Sequence, residues 1–412
     1  MSQARENRVG HFSRERAAGY DPHILQQATL MVVGGGAVGQ NVIQNCALSQ
    51  VGSMAIVDFD TFESHNATRS PLFPTEEEWK TWSGSKAAIV AHKSRRLVGW
   101  SKYPRVYYFH GAIQALGDLP FRKASIVISA VDNFAARAYI SRMSRKLCRP
   151  LVEGGFDGAS ISYAAFGNGA DDPCWQCLAG NEKEDVLRRS CDEESRRQEA
   201  AGFIPATQPA AAALGALMSE ATIRILHGDT SLLNRRIYCD VRTGRSRSVK
   251  LTRNPACPAR HDPYPRRKRR VETSEDRSAG ELLQELSHQF CGPEVFLPAP
   301  FVMSVSCPGK NCSVRLDVNR PKWALLSHPR CRACGGSFPL SGDRRTSGYV
   351  VFDTLSHATP ELSGIACRDL GLVGGALVEM IDDRDKSLFI EIPQTCGPFS
   401  VVDLEFEREK ET

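Results

Sequence analysis

At 412 residues the chain is long enough for two or three domains, and its 42% hydrophobic content suits a globular protein with a sizeable core. A net charge of +5 is too modest to imply nucleic acid as a partner, and no apolar run is expected to approach membrane-spanning length. The apolar residues 29–33 predict a strand, followed by Gly34, Gly36 and Gly39 in the spacing G-x-G-x-x-G and by a helix over residues 38–50. Such a turn puts the first amides of the helix where they can hold a phosphate. Alone it fits a dinucleotide as well as ATP, or a plain strand-to-helix turn.

A second strand over residues 54–58 ends at Asp58 and Asp60, about twenty residues past Gly39, where a carboxylate can accept hydrogen bonds from ribose hydroxyls. Asn66, Arg69 and Lys86 follow. Arg69 as a bidentate fork and Lys86 as a point charge can neutralise phosphate oxygens while pyrophosphate departs. Each reads singly as a solvated surface charge. Asp132 lies between an apolar strand over residues 126–129 and a helix starting near Phe134. That is the carboxyl end of a sheet strand, where it would hold magnesium or serve as an ordinary helix N-cap. A nicotinamide oxidoreductase needs neither a cation cluster nor a magnesium carboxylate. In this order, the residues read as an ATP site.

The 14 cysteines fall into groups. Cys174 and Cys177 form a C-x-x-C knuckle, and Cys257 with His261 lies beyond the helix and strands that follow. Cys307-x4-Cys312 and Cys331-x-x-Cys334, beside Pro308-Gly309 and Gly335-Gly336, suit a zinc ribbon. Disulfides fit the same spacing, but no signal peptide is visible, so a reducing, cytoplasmic compartment is the simpler reading. Cys46, Cys148 and Cys239 fall in apolar elements and are expected in the core. Cys191 lies in the polar segment 188–194, ahead of an apolar helix over residues 210–226. Nearby arginines favour its thiolate and the acidic residues 192–194 oppose it, leaving a nucleophile or an unremarkable exposed thiol. Residues 262–279, with their basic block 266–270, read as a linker. Beyond it a helix over 280–290, alternating strands over 302–318 and short strands from Tyr349 onward, with a glycine turn at 371–375, carry no catalytic constellation.

Phe12-Ser13-Arg14, Gly34-x-Gly36-x-x-Gly39, Asp58-x-Asp60, the run from Ser64 to Arg69, Gly84-Ser85-Lys86-Ala87 and Asp132-Asn133-x-x-x-Arg137 come in one order. This series resembles the adenylation domain shared by ubiquitin-activating enzymes and by sulfur-carrier adenylyltransferases of molybdopterin and thiamine synthesis. The resemblance implies an α/β, Rossmann-like adenylation domain with a mostly parallel sheet over residues 1–261. A smaller mixed domain with the zinc ribbon is expected over 280–412. It further implies ATP, Mg2+ and Zn2+, with Asp60 on ribose, Asn66, Arg69 and Lys86 on phosphates, and Asp132 on magnesium. Arg14 would reach the ATP of the other subunit of a homodimer. Ser70 stands where the family usually has glutamine, and Arg260 where it usually has the last knuckle cysteine, so that His261 would complete a Cys3His set with Cys174, Cys177 and Cys257.

The implied partner is a ubiquitin-like or sulfur-carrier protein ending in glycine. Members that make a thioester or persulfide place their cysteine on the crossover where Cys191 lies. Its long spacing to Pro205 looks like a ubiquitin-transfer variant handing its cargo to a conjugating enzyme. The alternatives are a sulfur-carrier adenylyltransferase and a catalytically silent scaffold for a ubiquitin-like fold. Residues 291–412 are expected to dock partners.

Overall fold

The computed structural model describes residues 12–98, 101–169, 171–179, 207–257, 259, 261, 269–271, 274–307, 309, 311–324, 330–336, 338, 349–382, 387–393 and 400–401. Short aliphatic runs form the centre of the first domain. β1 (Thr29–Val33), β2 (Ser53–Asp58), β3 (Arg105–His110) and β4 (Ile126–Ser129) pair in parallel. Side chains on both faces of β1 and β4 are buried, which explains why these strands read as continuous apolar runs rather than as alternation. β5 (Leu151–Asp157) joins β4 in parallel. From there the sheet turns antiparallel through β6 (Ser160–Phe166), β7 (Arg235–Asp240) and β8 (Ser246–Lys250).

Helices cover both faces. One core packs Leu30, Val32, Ile56 and Ile128 under helices Ala37–Leu48 and Gln208–Leu226, and the other packs Met31, Val33 and Val127 under helix Phe134–Lys146. The expectation that no apolar run approaches spanning length needs correction, because Gln208–Leu226 has the length and apolarity of a membrane span. Its Ala210, Ala211, Leu214, Met218 and Ala221 are buried in the first core, so its apolarity matches a face packed on helix Ala37–Leu48 and the sheet. Cys46 is fully buried as expected and Cys239 is half-buried. Cys148 is instead exposed, at φ 53° just past helix Phe134–Lys146. Its amide bonds back to Arg145 to close the helix end, and that turns the side chain away from the core.

The second domain is a six-stranded mixed sheet. β9 (Arg269–Arg270), β10 (Glu294–Ser306), β11 (Arg315–Pro321), β12 (Tyr349–Leu355), β13 (Leu377–Ile381) and β14 (Ser387–Glu391) assemble around β10, with helix Ala279–Ser287 on one face. Within the stretch read as a linker, Arg269–Arg270 pairs in parallel with β14, and Ser278 caps the helix through a capping box with Glu281. The glycine turn expected at 371–375 is present, with Gly371 and Gly375 at φ 82° and 83°.

The two domains touch through a polar clasp. Arg122 pairs with Glu391 at 2.7 Å and donates to the Gly375 carbonyl at 2.6 Å, while buried Asp118 accepts from the Leu377 amide. β15 (Ser400–Val401) then returns to pair with β3, at the edge of the first sheet, completing its nine strands.

Candidate functional site

The glycine turn sits where the carboxyl ends of β1, β2 and β4 meet. Gly34 has φ 100°, and a Cβ there would lie 2.6 Å from the Ala130 carbonyl oxygen; at Gly39 it would lie 1.8 Å from the oxygen of Gly34. Both glycines are therefore steric requirements of packing the turn between two strands. Gly36 differs. A Cβ there meets nothing within 4 Å, and Gly36 is the N-cap of the twelve-residue helix Ala37–Leu48 without a side-chain cap. Among the described residues no side chain caps this first turn, which leaves its amides available to an anion.

Asp58 and Asp60 divide the work. Asp58 is buried and accepts from the Gly35 amide at 2.6 Å and the Asp60 amide at 2.7 Å, so it ties β2 to the glycine turn. Asp60 is half-exposed and pairs with Lys86 Nζ at 3.0 Å, while the Lys86 amide donates to the Asp60 carbonyl at 3.0 Å. Lys86 opens helix Lys86–Arg96 behind its Ser85 cap, so the backbone fixes where its side chain emerges. Burial, with the charge of Asp60 adding, pushes the Asp58 carboxyl up to about 6 from 3.8. The folded state thus holds this proton more tightly than the unfolded chain, a stabilisation present below pH 3.8 and lost as pH rises through about 6. Urea midpoints across this window are expected to fall with rising pH, and to fall less steeply in Asp58→Asn. An identical slope in the variant would sink this assignment.

Asn66 is buried in the short 3-10 segment Ser64–Arg69, its Oδ1 accepting from the Glu63 amide at 3.0 Å. Arg69 is exposed, with one guanidinium nitrogen on the His65 carbonyl at 2.8 Å. Asp132 is exposed beyond β4. It is not the helix cap that the sequence also allowed, because Asn133 fills that role by accepting from Ala136 at 2.8 Å. Asp132 is therefore left clear of the helix. Gln40 was missed in the sequence, where it reads as an ordinary polar helix residue. It is fully buried and donates to the Gly35 carbonyl at 2.9 Å and to Ser70 Oγ at 3.3 Å, while accepting from Leu72 at 3.0 Å. It links the glycine turn to the segment carrying Asn66 and Arg69. Arg14 lies on the exposed helix Ser13–Ala17. No hydrogen bond or ion pair joins it to the glycine turn among the described residues. Its segment is held by Tyr20 on Glu220 and by the Asp21 amide on His227 Nε2 at 2.8 Å.

Two four-residue clusters have the chemistry of metal centres. Cys174 Sγ lies 3.9 Å from Cys177 Sγ and 3.6 Å from Cys257 Sγ, and His261 Nε2 lies 3.3 Å from Cys177 Sγ. Cys307 with Cys334 and Cys312 with Cys331 are 3.3 and 3.6 Å apart. In each cluster all ligand atoms fall within 4.8 Å of one another. A tetrahedron of thiolates at about 2.3 Å from zinc has edges of about 3.8 Å, so both donor sets fit that ion. Cys191 lies outside the described residues.

The sequence profile of the ThiF family matches residues 18–259. The chain belongs to the ThiF family. Among its relatives is the sulfur carrier protein adenylyltransferase of Thermus thermophilus, 28% identical over 243 residues, which are 57% of this chain and 82% of that protein. Another is the ubiquitin-activating enzyme E1-like protein of Saccharomyces cerevisiae, 29% identical over 141 residues, 32% of this chain and 21% of that one. The fold is similar to that of E. coli MccB, at 20% identity and a TM-score of 0.47, over 58% of this chain and 66% of that one. This ThiF member is thus an enzyme of the adenylyltransferase and activating class, built on a Rossmann-like domain with a second, cysteine-bearing domain.

Proposed function

We propose that this protein adenylates the C-terminal glycine of a small ubiquitin-like or sulfur-carrier protein. The observation that carries the reading is the meeting, at one end of the first sheet, of the open amide turn at Gly36, the Asp60–Lys86 pair and the exposed Asp132. The substrate carboxylate attacks the α-phosphorus of ATP, the bond to the bridging oxygen breaks, and pyrophosphate leaves. No proton moves, since the carboxylate is already ionised, so positioning and charge neutralisation suffice. In this reading Lys86 exchanges Asp60 for phosphate, Asp60 turns to ribose, and Asn66 and Arg69 complete the phosphate cradle. Asp132 would hold magnesium, which would supply charge that offsets the triphosphate. The partner subunit's Arg14 adds a further cation across a homodimer interface.

The Cys191 thiolate then attacks the acyl carbon, AMP departs, and the thioester passes to a conjugating enzyme docked on residues 291–412. The two clusters would hold zinc, which would tie their loops together rather than react. Thiolate clusters of metal-ligand geometry suit a reducing, cytoplasmic setting. A second reading, sulfur-carrier activation with delivery to a sulfur donor, is favoured by the relative of which the match spans 82%.

Intact mass after incubation with Mg-ATP and glycine-ending carriers tests both. A reductant-labile adduct, absent from Cys191→Ala, is the expected result. Pyrophosphate release without that adduct selects the sulfur-carrier reading, and neither signal removes the adenylation reading altogether.

A further inference from the structure

The turn that leads into Lys86 is held by a side chain outside the core. Phe62, Phe73 and Trp82 pack in the first core, whereas Trp79, in the short helix Glu76–Thr81, is 45% exposed and joins no apolar core among the described residues. Its contribution therefore lies less in burial than in what its indole edge touches. Gly84 has φ 71°, and a Cβ there would lie 2.6 Å from Trp79 Nε1, so ring and backbone meet with no room for a side chain between them. The Trp79 carbonyl accepts from the Gly84 amide at 2.8 Å, and its Nε1 donates to the Phe62 carbonyl at 3.2 Å.

These bonds staple together two segments that end in the candidate site. The Phe62 amide donates to the Gly84 carbonyl at 2.8 Å, and Thr61 and Ser85 form an antiparallel bridge. The residue before Thr61 is Asp60 and the residue after Ser85 is Lys86, so the bridge sets those two opposite each other. The helix bearing Trp79 is itself fixed. Thr75 and Glu78 form a capping box at its start, and Glu78 pairs with Lys93 at 2.8 Å and Arg96 at 3.4 Å, both on the helix that Lys86 opens. Trp79 thus closes a ring of contacts that begins and ends at Lys86.

We propose that Trp79 is a positioning residue for phosphate: by clamping the Gly84–Ser85 turn onto Phe62 it fixes where the Lys86 ammonium stands. The inference rests on the adenylation reading for the identity of the phosphate ligand. A lysine carries a compact charge on a flexible stem, so the strength of its contact with phosphate depends on how firmly its backbone is held. With the clamp in place, moving from Asp60 to a phosphate oxygen needs only side-chain rotation. Without it the turn is loosened as well, and the nucleotide must order it again, which weakens binding.

Calorimetry on the full-length protein with Mg2+ and the non-hydrolysable ATP analogue AMPPNP tests it. Trp79→Ala is expected to weaken AMPPNP binding roughly tenfold, the worth of one charge-assisted hydrogen bond, and to leave adenosine, which has no phosphate, unaffected. In a Lys86→Ala background the same substitution should cost nothing further, because it acts through that lysine. Trp79→Phe keeps a ring against Gly84 and loses only the Nε1 bond, so its affinity should fall between wild type and Trp79→Ala. Acetylation by limiting acetic anhydride, read by peptide mass spectrometry, follows Lys86 without any nucleotide. Trp79→Ala should raise labelling of Lys86 severalfold and leave the exposed Lys102 as in wild type. Equal weakening of AMPPNP and adenosine, an undiminished loss in the Lys86→Ala background, or unchanged Lys86 labelling overturns the proposal. A wild-type protein that binds no AMPPNP, beside raised Lys86 labelling in Trp79→Ala, removes the adenylation reading and leaves the clamp. AMPPNP binding that Trp79→Ala does not weaken removes the clamp and leaves the reading.

Discussion

Lys86→Ala is expected to lower ATP–pyrophosphate exchange by about 10^2- to 10^3-fold, the usual cost of deleting one preorganised charge donor from a transition state. The protein should remain folded. The Asp60–Lys86 pair spans a half-exposed carboxylate, so it contributes little to stability, and the backbone bond from the Lys86 amide to the Asp60 carbonyl survives truncation. Lys86→Arg should recover only part of the rate, because a planar fork replaces a point charge at a position set by the Ser85 cap. Exchange within threefold of wild type in Lys86→Ala would mean that phosphate does not reach this lysine, and the cradle would have to be redrawn around Arg69 alone.

The second large effect is metal loss. Elemental analysis of the purified protein is expected to give two zinc ions per chain, one for each cluster. Cys331→Ser should reduce this to about one and unfold the ribbon. The packing around that cluster is a small group, with Val302, Val305 and Phe338 as its buried apolar residues beside the cysteines. Each such side chain contributes about 1.5–3 kcal/mol. Metal binding in small zinc modules contributes about 10 kcal/mol or more. Without the ion, the loops bearing Cys307, Cys312, Cys331 and Cys334 lack enough core to stay closed. A strong chelator should therefore expose these thiols to a chromogenic reagent well before the first domain melts. Less than one zinc per chain, or thiols that stay protected in chelator, would show that the clusters are held by packing alone.

Much of the site was legible in the sequence because its residues act through local chemistry. The spacing Gly34-x-Gly36-x-x-Gly39 demands a strand-to-helix turn, since Gly34 needs positive φ and Gly39 admits no side chain. The strands at 29–33 and 126–129 were recognisable as short apolar runs, and both are observed with those bounds. Cysteine spacing marked both clusters for the same reason, because two thiols three residues apart can share one ion without help from the rest of the chain. Residues whose role depends on what lies opposite them were not legible. Gln40 is a generic helix polar until burial places its amide between Gly35 and Ser70. Cys148 looked like core because its neighbours are apolar, yet the helix end turns it outward.

The sequence by itself determined the family, the order of the candidate nucleotide-site residues and the donor types of the two cysteine-bearing clusters, because short-range spacing and donor chemistry survive without knowledge of the fold. Tertiary structure alone decided that Asp58 braces the turn while Asp60 holds Lys86, and that Asn133 leaves Asp132 free. It also decided that buried Glu153 pairs with Arg137 and Arg236, and that Arg122 and Asp118 clasp the second domain. Each of these depends on strand register and on contacts between residues far apart in the chain, which only packing can fix.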